Sequence, residues 1–354
     1  MGLISYIRDL YYDNKLKKAD LLLDDGRTSE AEDAYLAIID KHPQAACKLA
    51  EYYLSLSSSA TVLNDISLFN KTFELKSNSA NVYDSTSFEP LLTRFVKHIQ
   101  DRANRCFESG QYRDCLSLTL ALKKTKTNTP DDSILDAEAQ IRLQYNDFGT
   151  TKVTDNTFNT LIDRFRKEWK ICKRKKRAKD SALQFCQSLI NARRYYASNL
   201  LLSIIQDNSY DSLCLDNATY VINGNDSEAT PGIIKTVASS YAKSLVLRKG
   251  KSLAESVTIF KACWNATKDN ALVMDILRSV SNTALKDTLV SEILQNHKAY
   301  FSSPSFLKDF SKWLYDSFEG EQSLSLLEKL HCQGYDVEEY FTQKVHICIS
   351  KLSF

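Results

Sequence analysis

The stretch GRTSEAEDAYLAIIDKHP, residues 26–43, decides the predicted fold. Gly26 can adopt a positive φ, as the residue after a helix often does, so it predicts the end of one helix. Thr28 or Ser29 can cap a second helix, whose first turn then holds acidic side chains. Pro43 is expected to end that helix and to open a third. Apolar residues at helical spacing form one stripe along the second helix, namely Ala31, Tyr35, Ile38 and Ile39.

Looser copies of this unit recur along the chain. Around Gly110, the stretch FESGQYRDCLSLTLALKK puts Cys115 where the first unit has Ala31. In a third copy, Ala192 stands where the first two units have glycine. The small residues expected at the equivalent position of the later copies are Ala197, Ser256 and Ser323. The recurring helix–turn–helix unit predicts an all-α protein, an α-solenoid of stacked antiparallel helical hairpins. Because the equivalent positions share no single period, we expect an irregular repeat length.

The order glycine, small residue, aromatic residue, proline resembles the pattern of the tetratricopeptide repeat (TPR) family. Gly26, Ala31, Tyr35 and Pro43 match that pattern. Ile38 departs from it, because the family prefers alanine there, and this packing layer is therefore expected to be wider. The resemblance implies TPR-like pairs of antiparallel helices that present an extended surface to a protein or peptide.

Breaks in the helical periodicity divide the chain into three predicted regions. Residues 1–150 are expected to form an N-terminal TPR-like helical array, and residues 181–354 a C-terminal helical-repeat array. Between them, residues 151–180 are predicted to hold a basic helix and a candidate hinge, because residues 149–156 interrupt the apolar pattern. Within the first region, residues 60–76 are expected to form a helix that buries Leu63, Ile66, Phe69 and Phe73.

Composition limits the class of protein. The chain has 354 residues with nine glycines and five prolines, which lie mainly between periodic segments and indicate helices almost throughout. The formal net charge of +2 provides no overall attraction to nucleic acid or to a membrane. The nine cysteines form no C-x-x-C pair and are odd in number, so we expect reduced thiols and a cytoplasmic location. No segment reaches the roughly 20 apolar residues of a membrane span.

The segment RFRKEWKICKRKKRAKD, residues 164–180, carries the strongest charge feature. Phe165, Trp169, Cys172 and Ala178 fit one buried helical stripe between its cations. Two interpretations remain open: a docking surface for an acidic partner or for nucleic-acid phosphates, and a solvated helix face or exposed linker. The candidate partner-binding residues are Arg166, Lys167, Lys170, Lys173, Arg174, Lys175, Lys176 and Arg177.

Signatures of catalysis and of phosphate binding are missing from the sequence. It contains no G-x-x-x-x-G-K-[ST], G-x-G-x-x-G, H-E-x-x-H or EF-hand pattern, and its glycines are spread singly. We therefore predict a non-enzymatic protein with no cofactor and no metal. The favoured function is a scaffold or adaptor that binds a protein or peptide partner. The alternative is a nucleic-acid-associated factor that docks through the basic helix 164–179.

Overall fold

The computed structural model describes residues 3–57, 60–78, 85–205 and 210–352. Within these ranges the regular structure is helical and no strand occurs, which confirms the predicted all-α class. Helices that follow one another pack as adjacent pairs, the arrangement expected of stacked helical hairpins. Over the same ranges, no helix combines the length and the apolarity needed to cross a membrane.

The chain divides into two compact units, and their boundary falls between Ser181 and Ala182, inside a helix. The first unit comprises Met1–Thr151 and Asp155–Ser181. Its helices are α1 (Leu3–Asp24), α2 (Thr28–Leu36), α3 (Pro43–Ser57), α4 (Val62–Asn78), α5 (Ser85–Glu108), α6 (Tyr112–Lys124), α7 (Pro130–Thr150), α8 (Asn156–Cys172) and the first part of α9 (Lys176–Asn191).

The second unit comprises Lys152–Thr154 and Ala182–Phe354 and has its own apolar core. The role of residues 151–180 as a hinge stays a prediction. The helices of this unit, after the remainder of α9, are α10 (Tyr195–Ile205), α11 (Asp211–Ile222), α12 (Pro231–Val246), α13 (Leu253–Thr267), α14 (Asn270–Ser279), α15 (Thr283–Gln295), α16 (His297–Tyr300), α17 (Pro304–Ser317), α18 (Gly320–Cys332) and α19 (Glu338–Leu352).

One apolar core runs through the first unit from Leu16 in α1 to Ala139 in α7. The four residues of the predicted stripe belong to it, but only Ala31 and Tyr35 lie on α2, because Ile38 and Ile39 fall in the turn that follows. Tyr35 of this stripe also reaches back to α1, where its hydroxyl donates a hydrogen bond to Asp20. Ala31, four positions before Tyr35, is small and lets α1 and α2 approach closely. The buried residues of the stripe are Ala31, Tyr35, Ile38 and Ile39.

The turn between α1 and α2 explains the glycine at position 26. Gly26 has a φ of +75°, and its amide donates to the carbonyl of Leu23 at 3.0 Å. The amide of Arg27 donates to the carbonyl of Leu22 at 2.9 Å, which completes a Schellman motif. The predicted caps are wrong, because α2 already begins at Thr28 and Arg27 before it provides no side-chain cap. The Schellman turn leads directly into the next helix and leaves no separate capping position.

The connection from α2 to α3 is longer than the sequence suggested. Pro43 opens α3 as predicted, but α2 ends at Leu36, and a turn separates the two helices. His42 closes this turn, since its Nδ1 accepts the amide of Gln44 at 3.2 Å in the first turn of α3. Its Nε2 lies 2.8 Å from Asp13 of α1.

The Gly26 turn recurs at several later helix ends of the described chain, and two of them fall in the predicted copies of the unit. Gly110, between α5 and α6, has a φ of 79° and makes the same pair of backbone hydrogen bonds. Arg193, between α9 and α10, has a φ of 56° and repeats the pattern without a glycine. A left-handed conformation is unfavourable for a residue with a Cβ, which is why the sequence pattern alone did not identify Arg193 as the turn residue.

This turn shifts the third copy of the unit by one residue. The turn residue is Arg193 and not Ala192, so the position equivalent to Ala31 is the fourth residue of α10, Ser198. Ser198 is completely buried, and its hydroxyl donates to the carbonyl of Cys186 at 3.3 Å. The assignment of that position to its neighbour, Ala197, is therefore wrong by one residue.

Helix α4 lies where it was predicted, but it buries a different face. Leu63 was expected inside and is 76% exposed, whereas Asp65 is completely buried. Asp65 turns inward because Arg102 and His98 of α5 bind its carboxylate, at 2.6 Å and 3.1 Å. Phe69 is buried as predicted. The remaining predicted core residues of this helix, Ile66 and Phe73, are half-buried.

Candidate docking surface

The basic segment, residues 164–179, is not the single helix that was predicted. Helix α8 ends at Cys172, residues 173–175 form a turn, and α9 begins at Lys176. In a continuous helix, cations three or four residues apart would lie on the same face, where like charges destabilise the helix. The turn instead spreads these cations over the end of a helical hairpin.

The buried stripe of the segment is confirmed, and most of its cations are exposed outside that stripe. Phe165 and Trp169 stack with ring centroids 5.9 Å apart inside the first unit. Cys172 and Ala178 continue the buried face on either side of the turn. The exposed cations are Arg164, Arg166, Lys167, Lys170, Lys173, Arg174, Lys175, Lys176 and Arg177.

Two of the exposed cations form surface ion pairs. Arg166 lies 2.7 Å from Asp163, and Lys175 lies 3.1 Å from Asp131 at the start of α7. Solvent-exposed pairs of this kind contribute about 0–1 kcal/mol and leave the local potential positive. The other exposed cations have no ion pair with any described residue, namely Arg164, Lys167, Lys170, Lys173, Arg174 and Lys176.

Arg177 differs from its neighbours because it holds the first unit together. Its guanidinium pairs with Glu138 of α7, whose side chain is only 3% exposed. The same guanidinium lies 4.3 Å from the ring centroid of Phe107 at the end of α5. Cation–π contact and ion pairing together fix Arg177 between two helices. Arg177 is therefore engaged within the protein, unlike the cations that remain free for a partner.

Arg177→Ala is expected to lower the free energy of unfolding by about 2 kcal/mol, because it leaves the buried carboxylate of Glu138 without its counter-charge. Urea denaturation followed by circular dichroism measures this loss. Lys176→Ala, one residue earlier and exposed without an ion pair, serves as the control and should change stability by less than about 0.5 kcal/mol. Equal losses in the two variants would contradict a structural role for Arg177.

A groove of about 480 Å³ opens beside the turn. Its walls come from α5, from the start of α7 and from the start of α9. Cations and apolar side chains meet in this groove, so it can accept a segment that carries both carboxylates and aliphatic groups. The lining residues are Asn104, Asp131, Ile134, Leu135, Lys175, Lys176 and Arg177.

Sequence reasoning overlooked a second group of cations near this turn. Lys123, Lys124 and Lys126, at the end of α6 and in the turn that follows, are exposed. The run KKTK was visible in the sequence, but about forty residues of chain separate it from the basic segment. The ion pair between Lys175 and Asp131 places the two turns close together, and a pattern search along the chain does not detect such a contact.

The reactive side chains below this surface are buried. Burial raises the pKa of the Cys172 thiol to about 12, so this thiol stays protonated at neutral pH and is a poor nucleophile. Burial also raises the pKa of the Glu168 carboxyl on the same helix. In the described part of the chain, no three His, Cys, Asp or Glu side chains form a group that could hold a metal ion. The charged side chains that this surface exposes are mainly those of lysine and arginine.

No protein-family model matches the chain, and no curated protein and no solved structure matches it. The resemblance to TPR proteins therefore rests on the sequence pattern alone, that is, on Gly26, Ala31, Tyr35 and Pro43.

Proposed function

We propose that the protein is a non-enzymatic cytoplasmic adaptor, a TPR-like array of helical hairpins that binds an acidic protein or peptide partner. The observation that carries this proposal is the group of exposed, unpaired cations at the α8–α9 turn. We call this group the basic turn and define it as Lys170, Lys173, Arg174 and Lys176.

Two further features support an adaptor. Stacked helical hairpins offer extended surfaces and few closed pockets, which suits binding to another chain. The cysteines are all free and most of them are buried, as in proteins of a reducing compartment. Burial raises the pKa of the thiols of Cys115 and Cys263 to about 12, which favours a packing role for these thiols.

The second candidate function is docking to nucleic acid, which the density of lysine and arginine in the basic segment favours. Phosphate contacts release counterions, so such binding should weaken steeply with salt. The nearly neutral chain lacks the broad positive field of a typical nucleic-acid-binding domain. We therefore place this function second and let the same experiment decide between the two.

A capture experiment tests the adaptor. The full chain is immobilised and incubated with native lysate, with and without nuclease, and bound proteins are identified by mass spectrometry. The test variant combines Lys173→Glu, Arg174→Glu and Lys176→Glu, and it keeps Arg177 because that residue stabilises the fold. We expect a defined set of proteins that survives nuclease and falls at least about fivefold with the variant, since reversed charges repel an acidic partner.

The control variant reverses exposed lysines of the second unit that have no ion pair in the described ranges, Lys298, Lys308 and Lys312. It should capture the same proteins as the native chain. Recovery that depends on nuclease would support the nucleic-acid function. Equal losses in both variants would show that the basic turn has no special role.

A further inference from the structure

The α6–α7 turn and the α8–α9 turn lie at the same end of the first unit. Helices α7 and α8 pack as a hairpin, so the start of α7 lies beside the end of α8. Lys175 Nζ lies 3.1 Å from Asp131 Oδ1, which joins the second turn to the start of α7. Helices α6 and α7 also pack as neighbours in the chain, so the end of α6 lies beside the start of α7 as well. Cations separated in sequence thus share one surface.

This surface has almost no negative charge to offset its cations. Residues 121–130 and 169–179 contain no acidic residue. Asp132 beside them is buried, where its carboxylate accepts the amide of Thr129 at 2.7 Å. Glu168 is buried as well. The exposed carboxylates next to these segments are those of Asp131 and Asp180. Asp131 pairs with Lys175, and the other exposed cations of the two turns have no ion pair with a described residue.

Exposed aliphatic side chains lie near the ends of the same two helices. Leu120 of α6 is 49% exposed, one helical turn before Lys123 and Lys124. Ile171 of α8 is 44% exposed, next to Lys170 and one turn before Arg174. Each helix therefore presents an aliphatic side chain followed by cations at its end. A ligand that contacts both helices meets apolar area as well as positive charge.

The two turns offer no aromatic side chain on which nucleic-acid bases could stack. Residues 120–130 and 170–176 contain no aromatic residue, and Phe165 and Trp169 beside the second turn are buried. Single-stranded nucleic acids bind such surfaces by stacking bases on exposed rings, and phosphates gain nothing from leucine or isoleucine. Charge complementarity and aliphatic contact together favour an acidic peptide over an oligonucleotide.

We propose that the two turns form one docking surface for an acidic segment of a partner protein that carries aliphatic side chains between its carboxylates. This two-turn surface consists of Leu120, Lys123, Lys124, Lys126, Lys170, Ile171, Lys173, Arg174 and Lys176. The inference rests on the proposed adaptor function and specifies its partner. It adds the α6–α7 turn, which the basic segment alone does not include.

Fluorescence anisotropy with the full chain tests the two-turn surface. The probes are a labelled peptide that alternates glutamate and leucine, a peptide of equal length that alternates glutamate and serine, and an oligothymidine of the same length. At a salt concentration of about 0.15 M, we expect the glutamate–leucine peptide to bind at least about fivefold more tightly than the other two. Lys123→Glu combined with Lys126→Glu should weaken that binding about tenfold.

Two further variants complete the experiment. Leu120→Ser combined with Ile171→Ser should remove the preference for leucine over serine and leave the glutamate–serine affinity within about twofold. Lys308→Glu combined with Lys312→Glu, which reverses exposed lysines of the second unit, should bind all probes like the native chain. Circular dichroism confirms that each variant keeps its helix content.

Several outcomes overturn the inference, and they differ from those that overturn the adaptor. If Lys123→Glu with Lys126→Glu binds the peptides normally, while partner capture still depends on the basic turn, the adaptor stands and the two-turn surface fails. Tighter binding of oligothymidine, lost in the same variant, would assign the surface to nucleic acid. If lysate yields no partner that survives nuclease, the adaptor fails whatever the peptides show.

Discussion

Asp65→Ala is expected to lower the free energy of unfolding of the first unit by about 3–5 kcal/mol. Asp65 is completely buried, and it accepts hydrogen bonds from Ser57, His98 and Arg102. Arg102 also donates to the carbonyl of Ala60 at 2.7 Å, so one guanidinium connects α5 to the α3–α4 connection. Removing the carboxylate leaves the guanidinium of Arg102, whose side chain is 18% exposed, without its counter-charge.

The measurement is hydrogen exchange read by mass spectrometry alongside urea denaturation, because exchange assigns the loss to particular helices. Peptides from α3, α4 and α5 should lose protection in the variant. Leu63→Ala, two residues earlier on α4, is the matched control. Leu63 is 76% exposed, so this change should cost less than about 0.5 kcal/mol. A larger cost for Leu63→Ala than for Asp65→Ala would contradict the register of α4.

The same carboxylate should make stability depend on pH. Burial raises the pKa of Asp65, but the hydrogen bonds from His98, Ser57 and Arg102 outweigh it and hold the pKa below its ordinary value. In acid the unfolded chain therefore takes up this proton before the folded protein does. The stabilisation is fully present above the unfolded pKa of about 3.9 and is lost as pH falls through the lower folded pKa. Asp65→Asn should flatten the fall in unfolding free energy below about pH 4.

Glu228→Ala is expected to destabilise the second unit by about 3 kcal/mol. Glu228 lies in the connection between α11 and α12, and its carboxylate approaches Arg194 to 3.2 Å. The two side chains are 13% and 9% exposed, so the pair is nearly buried. The carboxylate also accepts the amide of Val153 at 3.3 Å. Its removal would leave the guanidinium of Arg194 buried without the carboxylate that faces it.

The loss should appear first in the peptides of α10 and of the α11–α12 connection. Asp226 in this connection accepts the amide of Tyr196 at 2.8 Å and so caps the start of α10. Hydrogen exchange at α10 reports whether this cap survives. Asp275→Ala, which breaks the exposed pair with Lys243, is the control and should cost less than about 1 kcal/mol. Equal effects of the two variants would mean that burial of the Glu228 pair contributes little.

Much of the helical architecture follows from local rules. Gly26 and Gly110 adopt positive φ, and both could be identified from the sequence because glycine tolerates that conformation. The burial of Ala31 and Tyr35 on α2 and the buried face of α8 follow from helical spacing alone. Arg193 escaped the same reasoning, because an arginine in the left-handed region is held there by the surrounding structure and not by its own preference.

The candidate docking surface was predictable only in part. The basic run and its buried stripe were evident from residue type and spacing. The different roles of neighbouring cations were not evident. Arg177 differs from Lys176 because it binds the carboxylate of Glu138, which lies 39 residues earlier in the chain. Nor could the sequence show that Lys123 belongs with the later cations, because that depends on how α6, α7 and α8 pack.

The sequence by itself determined an all-helical chain, its first hairpin turns, its apolar stripes and the place of its densest positive charge. These features depend on backbone preference and on a period of 3.6 residues, which neighbouring residues are sufficient to establish. The tertiary structure alone decided which polar groups are buried. Asp65 faces inward because Arg102, 37 residues later, supplies a charge that offsets the cost of burying a carboxylate.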